Sequence, residues 1–100
     1  MSEAAAADAA IGALRRTLAI ANKRGLHARA AAKFVRTAGQ FDAAIRVSFK
    51  GQGVSGLSIM GLMMLAAGIG STIELSCSGR QATEAMTALS ALVEGKFGED

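Results

Sequence analysis

A chain of 100 residues, 51% of them apolar, is long enough for one domain around one core and too short for two. It has no Pro, Trp or Tyr and one cysteine, Cys77, which excludes an internal disulfide, argues against a zinc site and predicts a free, buried thiol. The net charge of +3 conceals a segregation. Residues 9–41 carry Arg15, Arg16, Lys23, Arg24, Arg29, Lys33 and Arg36, seven of the eleven basic side chains, and no acid; the remainder sets four bases against eight acids.

In chain order, residues 1–13 are Ala-rich and expected to form a flexible N-terminal tail, with residues 14–100 as the domain. Glu3 and Asp8 stand where a secretion signal would carry bases, so a cytoplasmic location is expected. Thr17 to Ala21 reads as a first strand with Leu18 and Ile20 on one face, and Asn22-Lys23-Arg24-Gly25 as the break after it. Ala28 to Ala38 is helical, with Ala31, Phe34, Val35 and Ala38 at three- and four-residue spacing and Gly39 as a left-handed stop. Ala44 to Phe49 alternates as a half-buried strand. Gly51-Gln52-Gly53 reverses it into a short return strand at Val54-Ser55.

Ser58 is placed to cap a short helix through about Ala66, closed by Gly68-Ile69-Gly70. The apolar run Ile59 to Ile69 around it is too short to cross a bilayer. Thr72 to Ser78 is a fourth strand, Gly79-Arg80 a turn, and Gln81 to about Lys96 a third helix whose apolar face (Ala82, Ala85, Met86, Leu89, Leu92 and Val93) opposes Glu84 and Ser90. Strands with one polar face imply an α+β fold: an antiparallel sheet covered on one side by three helices. Neither GxGxxG nor GxxxxGK[ST] occurs, so a bound nucleotide is not expected and no cofactor is implied.

The only histidine, His27, falls where the loop gives way to the first helix. An imidazole there lies beside the unpaired N–H groups at the positive end of the helix dipole, and its lone pair is positioned to attack an electrophile. Were that electrophile a phosphoryl group, the backbone amides of Ala28 and Arg29 and the Arg29 guanidinium are placed to hold its oxygens. The basic segment would attract an acidic partner surface.

Gly25-Leu26-His27-Ala28-Arg29 opening one helix, followed 31 residues after the histidine by Ser58-Ile59-Met60-Gly61 opening another, resembles the HPr family over residues 15–97. These are the histidine-containing phosphocarriers of the phosphoenolpyruvate-dependent phosphotransferase system (PTS). The resemblance implies an open-faced β-sandwich. It also implies that His27 accepts a phosphoryl group on Nδ1 from enzyme I and passes it to an enzyme IIA, so that the chain acts as a carrier and releases no product of its own. Ser58 would be the family's regulatory serine, a substrate of HPr kinase/phosphorylase, or only a helix cap. The family usually has Pro where this chain has Ala30, and a basic residue where Leu57 precedes Ser58.

Partner docking is expected from Lys23, Arg24, Leu57, Ile59, Met60 and Met63, with Leu57 and Met60 exposed and Ile59, Met63 and Met64 divided between core and surface. A monomer is expected. The nitrogen-related branch of the family stays open as the alternative to sugar uptake. A basic nucleic-acid-binding module is the distant alternative, and no nucleic acid is expected because no exposed aromatic side chain interleaves with the bases for stacking.

Overall fold

The computed structural model describes residues 13–99; the expected tail lies outside the described residues except for Ala13, which belongs to no element. Four strands, β1 (Leu14–Ala19), β2 (Ala44–Phe49), β3 (Gln52–Ser55) and β4 (Thr72–Ser78), form one antiparallel sheet in the order β1-β4-β2-β3. Helices α1 (Ala28–Ala38), α2 (Ile59–Met64) and α3 (Ala82–Glu94) cover one face, and a 3-10 turn, Lys96–Gly98, follows α3. The α+β fold expected from the alternating strands is therefore present.

The central strand β4 explains the arrangement. Its Ile73, Leu75 and Cys77 alternate with Glu74 and Ser76, so every second side chain enters the core. Register places Leu18 beside Ile73, Val47 beside Leu75 and Ile45 beside Cys77 on the helix-facing side. Phe34 of α1, Leu62 of α2 and Leu89 and Val93 of α3 close over these rows with no exposed surface. Each large side chain buried in this way contributes about 1.5–3 kcal/mol. Cys77 is the free buried thiol expected, and desolvation pushes its pKa up to about 11.

Local readings shift where tertiary contacts overrule local sequence. β1 begins at Leu14, three residues before the expected Thr17, because the long β4 supplies partners for Leu14, Arg15 and Arg16. The hairpin turns at Lys50-Gly51, with φ of 50° and 81°, so Gln52 and Gly53 belong to β3. Two left-handed residues suit the right-handed twist of paired strands. Gly39 is not a left-handed stop: its φ is −68°, and α1 ends by tightening, with Gln40 N–H donating to Thr37 O and Phe41 N–H to Ala38 O.

Helix α2 stops at Met64, two residues before the expected Ala66, which turns left-handed at φ 55°. That turn leads into Ala67, whose carbonyl accepts from Leu26 N–H at 3.0 Å. Ser90 is no part of a polar face: it continues the Met86, Leu89, Val93 spacing and is buried. α3 ends at Glu94, before the expected Lys96. Lys96, Phe97 and Gly98 then take φ of 60°, 55° and 73°, reversing the chain so that Phe97 is fully buried. Two non-glycine residues in this region cost about 1–3 kcal/mol each, and burial of a Phe offsets much of one.

Candidate functional site

His27 is the N-cap of α1, with extended backbone at φ −74° and ψ 176°, and its side chain makes no cap hydrogen bond to the helix. The first backbone bond of the helix runs from Ala31 N–H to His27 O at 2.9 Å. The amides of Ala28, Arg29 and Ala30 thus precede the ladder, and these are the donors an anion would find. The loop before the helix is fixed from two sides. Gly25 has φ +64°, and a Cβ on it would lie 2.5 Å from Ala67 O, so only glycine fits. Asn22, fully buried, donates from Nδ2 to Gly25 O at 2.8 Å.

The imidazole points to the segment that follows α3. Nε2 lies 3.0 and 2.9 Å from the two carboxylate oxygens of Glu99, and the two side chains are only 15% and 21% exposed. Asn22 Nδ2 also donates to Glu99 Oε1 at 2.8 Å. Hydrogen bonds from Asn22 and His27 hold the Glu99 carboxyl below the ordinary carboxylate range, with the charges of His27 and Arg24 adding to the effect. Lys33 Nζ donates to Phe97 O at 2.6 Å, tying α1 to the same strap. Nδ1 has no hydrogen-bond partner among the described residues.

The remaining sequence-derived residues sort into two groups. Lys23, Arg24, Ala28 and Arg29 surround His27 along the chain and are exposed. Among the described residues Arg29 makes no hydrogen bond or ion pair, so its guanidinium is free to meet a ligand beside His27. Ser58 is the N-cap of α2 and its hydroxyl accepts from Gly61 N–H at 2.9 Å. Leu57, Ile59, Met60, Met63 and Met64 are all exposed, from 37% to 69%. The expected division of Ile59, Met63 and Met64 between core and surface is thereby corrected: Leu62 is the buried side chain of this helix, and Leu65, just after it, is buried as well. The bond from Leu26 N–H to Ala67 O joins the His27 loop to the segment after α2.

Glu99, Asn22 and Phe97 escaped the sequence reading. A buried Phe two residues beyond Gly95 is a weak signal, and nothing local announces that Glu99 meets a histidine 72 residues away. An open concavity of about 410 Å³ near the hairpin, lined by Thr17, Ser48, Phe49 and Glu74 among others, includes none of the candidate residues. Among the described residues no three His, Cys, Asp or Glu side chains gather as a metal site requires, and no helix is long and apolar enough to cross a membrane.

An open antiparallel sheet backed by three helices, with a lone imidazole at the open N-terminus of the first, makes this a small α+β domain with a nucleophilic side chain at a helix start. The profile of the PTS HPr component phosphorylation site matches residues 14–95. The chain belongs to the HPr family, the phosphocarrier proteins of the PTS. It is 52% identical over 86 residues to the phosphocarrier protein HPr of Cupriavidus necator, covering 86% of this chain and 97% of that protein. It is also 45% identical to the phosphocarrier protein NPr of Shewanella violacea, covering 86% and 94%. The crystal structure of HPr-C-His from Thermoanaerobacter tengcongensis superposes with a TM-score of 0.83 at 45% identity, covering 87% of this chain and 98% of that one.

Proposed function

We propose that this chain carries a phosphoryl group on Nδ1 of His27, taken from phosphorylated enzyme I and delivered to an enzyme IIA for sugar uptake in the cytoplasm. The observation that carries the reading is the disposition of the single imidazole: Nε2 is engaged by Glu99, Nδ1 has no hydrogen-bond partner among the described residues, and the ring stands on the N-cap residue of α1. The amides of Ala28 and Arg29 and the Arg29 guanidinium hold the phosphoryl oxygens, the guanidinium in a planar fork. Lys23 and Arg24 attract an acidic partner, and the exposed apolar surface of Leu57, Ile59, Met60 and Met63 provides the desolvated contact. In this reading the carrier is a monomer, with its domain over residues 14–100.

Incubation with phosphoenolpyruvate and enzyme I, followed by intact mass, tests the reading. One phosphoryl group, labile in acid and stable in base, is expected, and His27→Ala abolishes it completely. Undiminished acid-labile labelling of that variant overturns the reading. The 45% identity to an NPr favours a second reading, in which the same histidine feeds a nitrogen-related relay. Transfer from the phosphorylated chain to sugar-branch and nitrogen-branch acceptors, compared side by side, decides between them. Ser58 serves as the substrate of HPr kinase/phosphorylase in the regulated version of either reading, and loss of ATP-dependent phosphorylation in Ser58→Ala is its signature.

A further inference from the structure

The contact between His27 and Glu99 is not part of the motif around the histidine, and the structure builds it with care. Phe97 is buried without exposure, Lys33 holds its carbonyl, and Asn22 holds Glu99 Oε1, so the carboxylate is aimed at the ring by its surroundings. An ionised carboxylate can only accept hydrogen bonds. With both oxygens within 3.0 Å of Nε2, that nitrogen must bear the proton. A neutral ring with its proton on Nε2 has its lone pair on Nδ1.

We propose that Glu99 is a positioning residue for phosphoryl transfer: it fixes the His27 tautomer whose Nδ1 attacks, and its charge balances the ring while Nδ1 carries the phosphoryl group. The proposal rests on the phosphocarrier reading. In the loading step the Nδ1 lone pair forms the N–P bond as the donor's bond to phosphorus breaks and its electron pair leaves with the donor. The ring keeps its Nε2 proton and becomes formally cationic, opposite a carboxylate 2.9 Å away. In unloading, the acceptor's lone pair forms the new bond to phosphorus and the N–P pair returns to Nδ1. No proton crosses the ring in either direction, so transfer in both directions proceeds from one hydrogen-bonded arrangement.

The test combines ring spectroscopy with transfer kinetics. Long-range proton–nitrogen NMR of the unphosphorylated chain should show the Nε2–H form alone. Glu99→Gln, which keeps an acceptor oxygen, should retain that pattern, whereas Glu99→Ala should relax to the tautomer mixture of a free imidazole. Loading by phosphorylated enzyme I should slow about tenfold in Glu99→Ala, the effect of losing one charge-assisted contact, and by less in Glu99→Gln. A wild-type ring spectrum or a wild-type rate in Glu99→Ala overturns the proposal. Should Glu99→Ala lose its native amide spectrum, the near-isosteric Gln variant carries the kinetic test, with an unchanged rate counting against the charge-balancing role. If the wild-type chain takes up no phosphoryl group, the carrier reading falls and the transfer role with it. The tautomer assignment is judged separately by the ring spectrum, which needs no donor.

Discussion

The two short-range helix starts of this domain, at His27 and at Ser58, share an extended cap residue and differ in what the cap does. Ser58 turns its hydroxyl inward to Gly61 N–H and so completes its own helix. His27 leaves the amides of α1 without a side-chain partner and sends its ring to Glu99 on a distant segment. A cap that satisfies its helix is a local stabiliser, typically worth about 1 kcal/mol. A cap that does not leaves donors and a dipole available to a ligand. One position is spent on the fold and the other is withheld from it.

The largest effect on this contrast is expected from Gly25→Ala, because the new Cβ meets Ala67 O at 2.5 Å with the backbone at φ +64°. Strain and overpacking together should cost about 2–4 kcal/mol, read in denaturant unfolding, and loosen the Leu26–Ala67 bond that joins the two regions. Stability within 0.5 kcal/mol of wild type, on the order of an ordinary surface change, would show that the loop is free to move. Next, Arg29→Ala should leave the melting temperature unchanged and slow phosphoryl transfer about ten- to a hundredfold, with Arg29→Lys recovering only part of the rate. A wild-type rate in Arg29→Ala reduces that side chain to a solvated surface charge.

On the other side, Ser58→Asp should keep the fold, since a carboxylate caps a helix as well as a hydroxyl and suits the dipole. It should weaken binding to enzyme I on the order of tenfold by placing charge amid Leu57, Ile59 and Met60. Calorimetry and thermal melting on the same variant separate the two; lower stability with unchanged affinity leaves Ser58 a cap only. The smallest effect concerns acid. Because Glu99 is held below its ordinary value of 4.5, its contribution to stability is present above that pH and is lost as pH falls through the lowered folded value. The melting difference between wild type and Glu99→Gln should therefore shrink below pH 4.5, while that of Ser58→Ala, on a helix with no acidic residue in its first turn, stays flat.

Legibility from sequence followed the range of the interactions. β2, β4 and α1 were found at their observed limits because alternation and three-to-four spacing are written within each segment. The start of β1 depends on what β4 offers across the sheet, and the burial of Ser90 on how squarely α3 meets that sheet; neither is local. At the site, Gly25, His27 and Ser58 stood out because turn, cap and helix start are decided by neighbours in sequence. Glu99 did not, for its partners Asn22 and His27 are brought to it only by the left-handed residues Lys96 and Phe97, which a helical pattern gives no reason to expect.

The sulfur chemistry of the chain divides along the same surface. Cys77 is closed in the sheet with its thiol protonated, whereas Met60 and Met64 stand 67% and 69% exposed on α2. Peroxide or hypochlorite therefore reaches thioethers before it reaches the thiol, and each sulfoxide formed sets a polar oxygen on the apolar face. Oxidative damage then falls first on the exposed face of α2, with the core and the imidazole still intact.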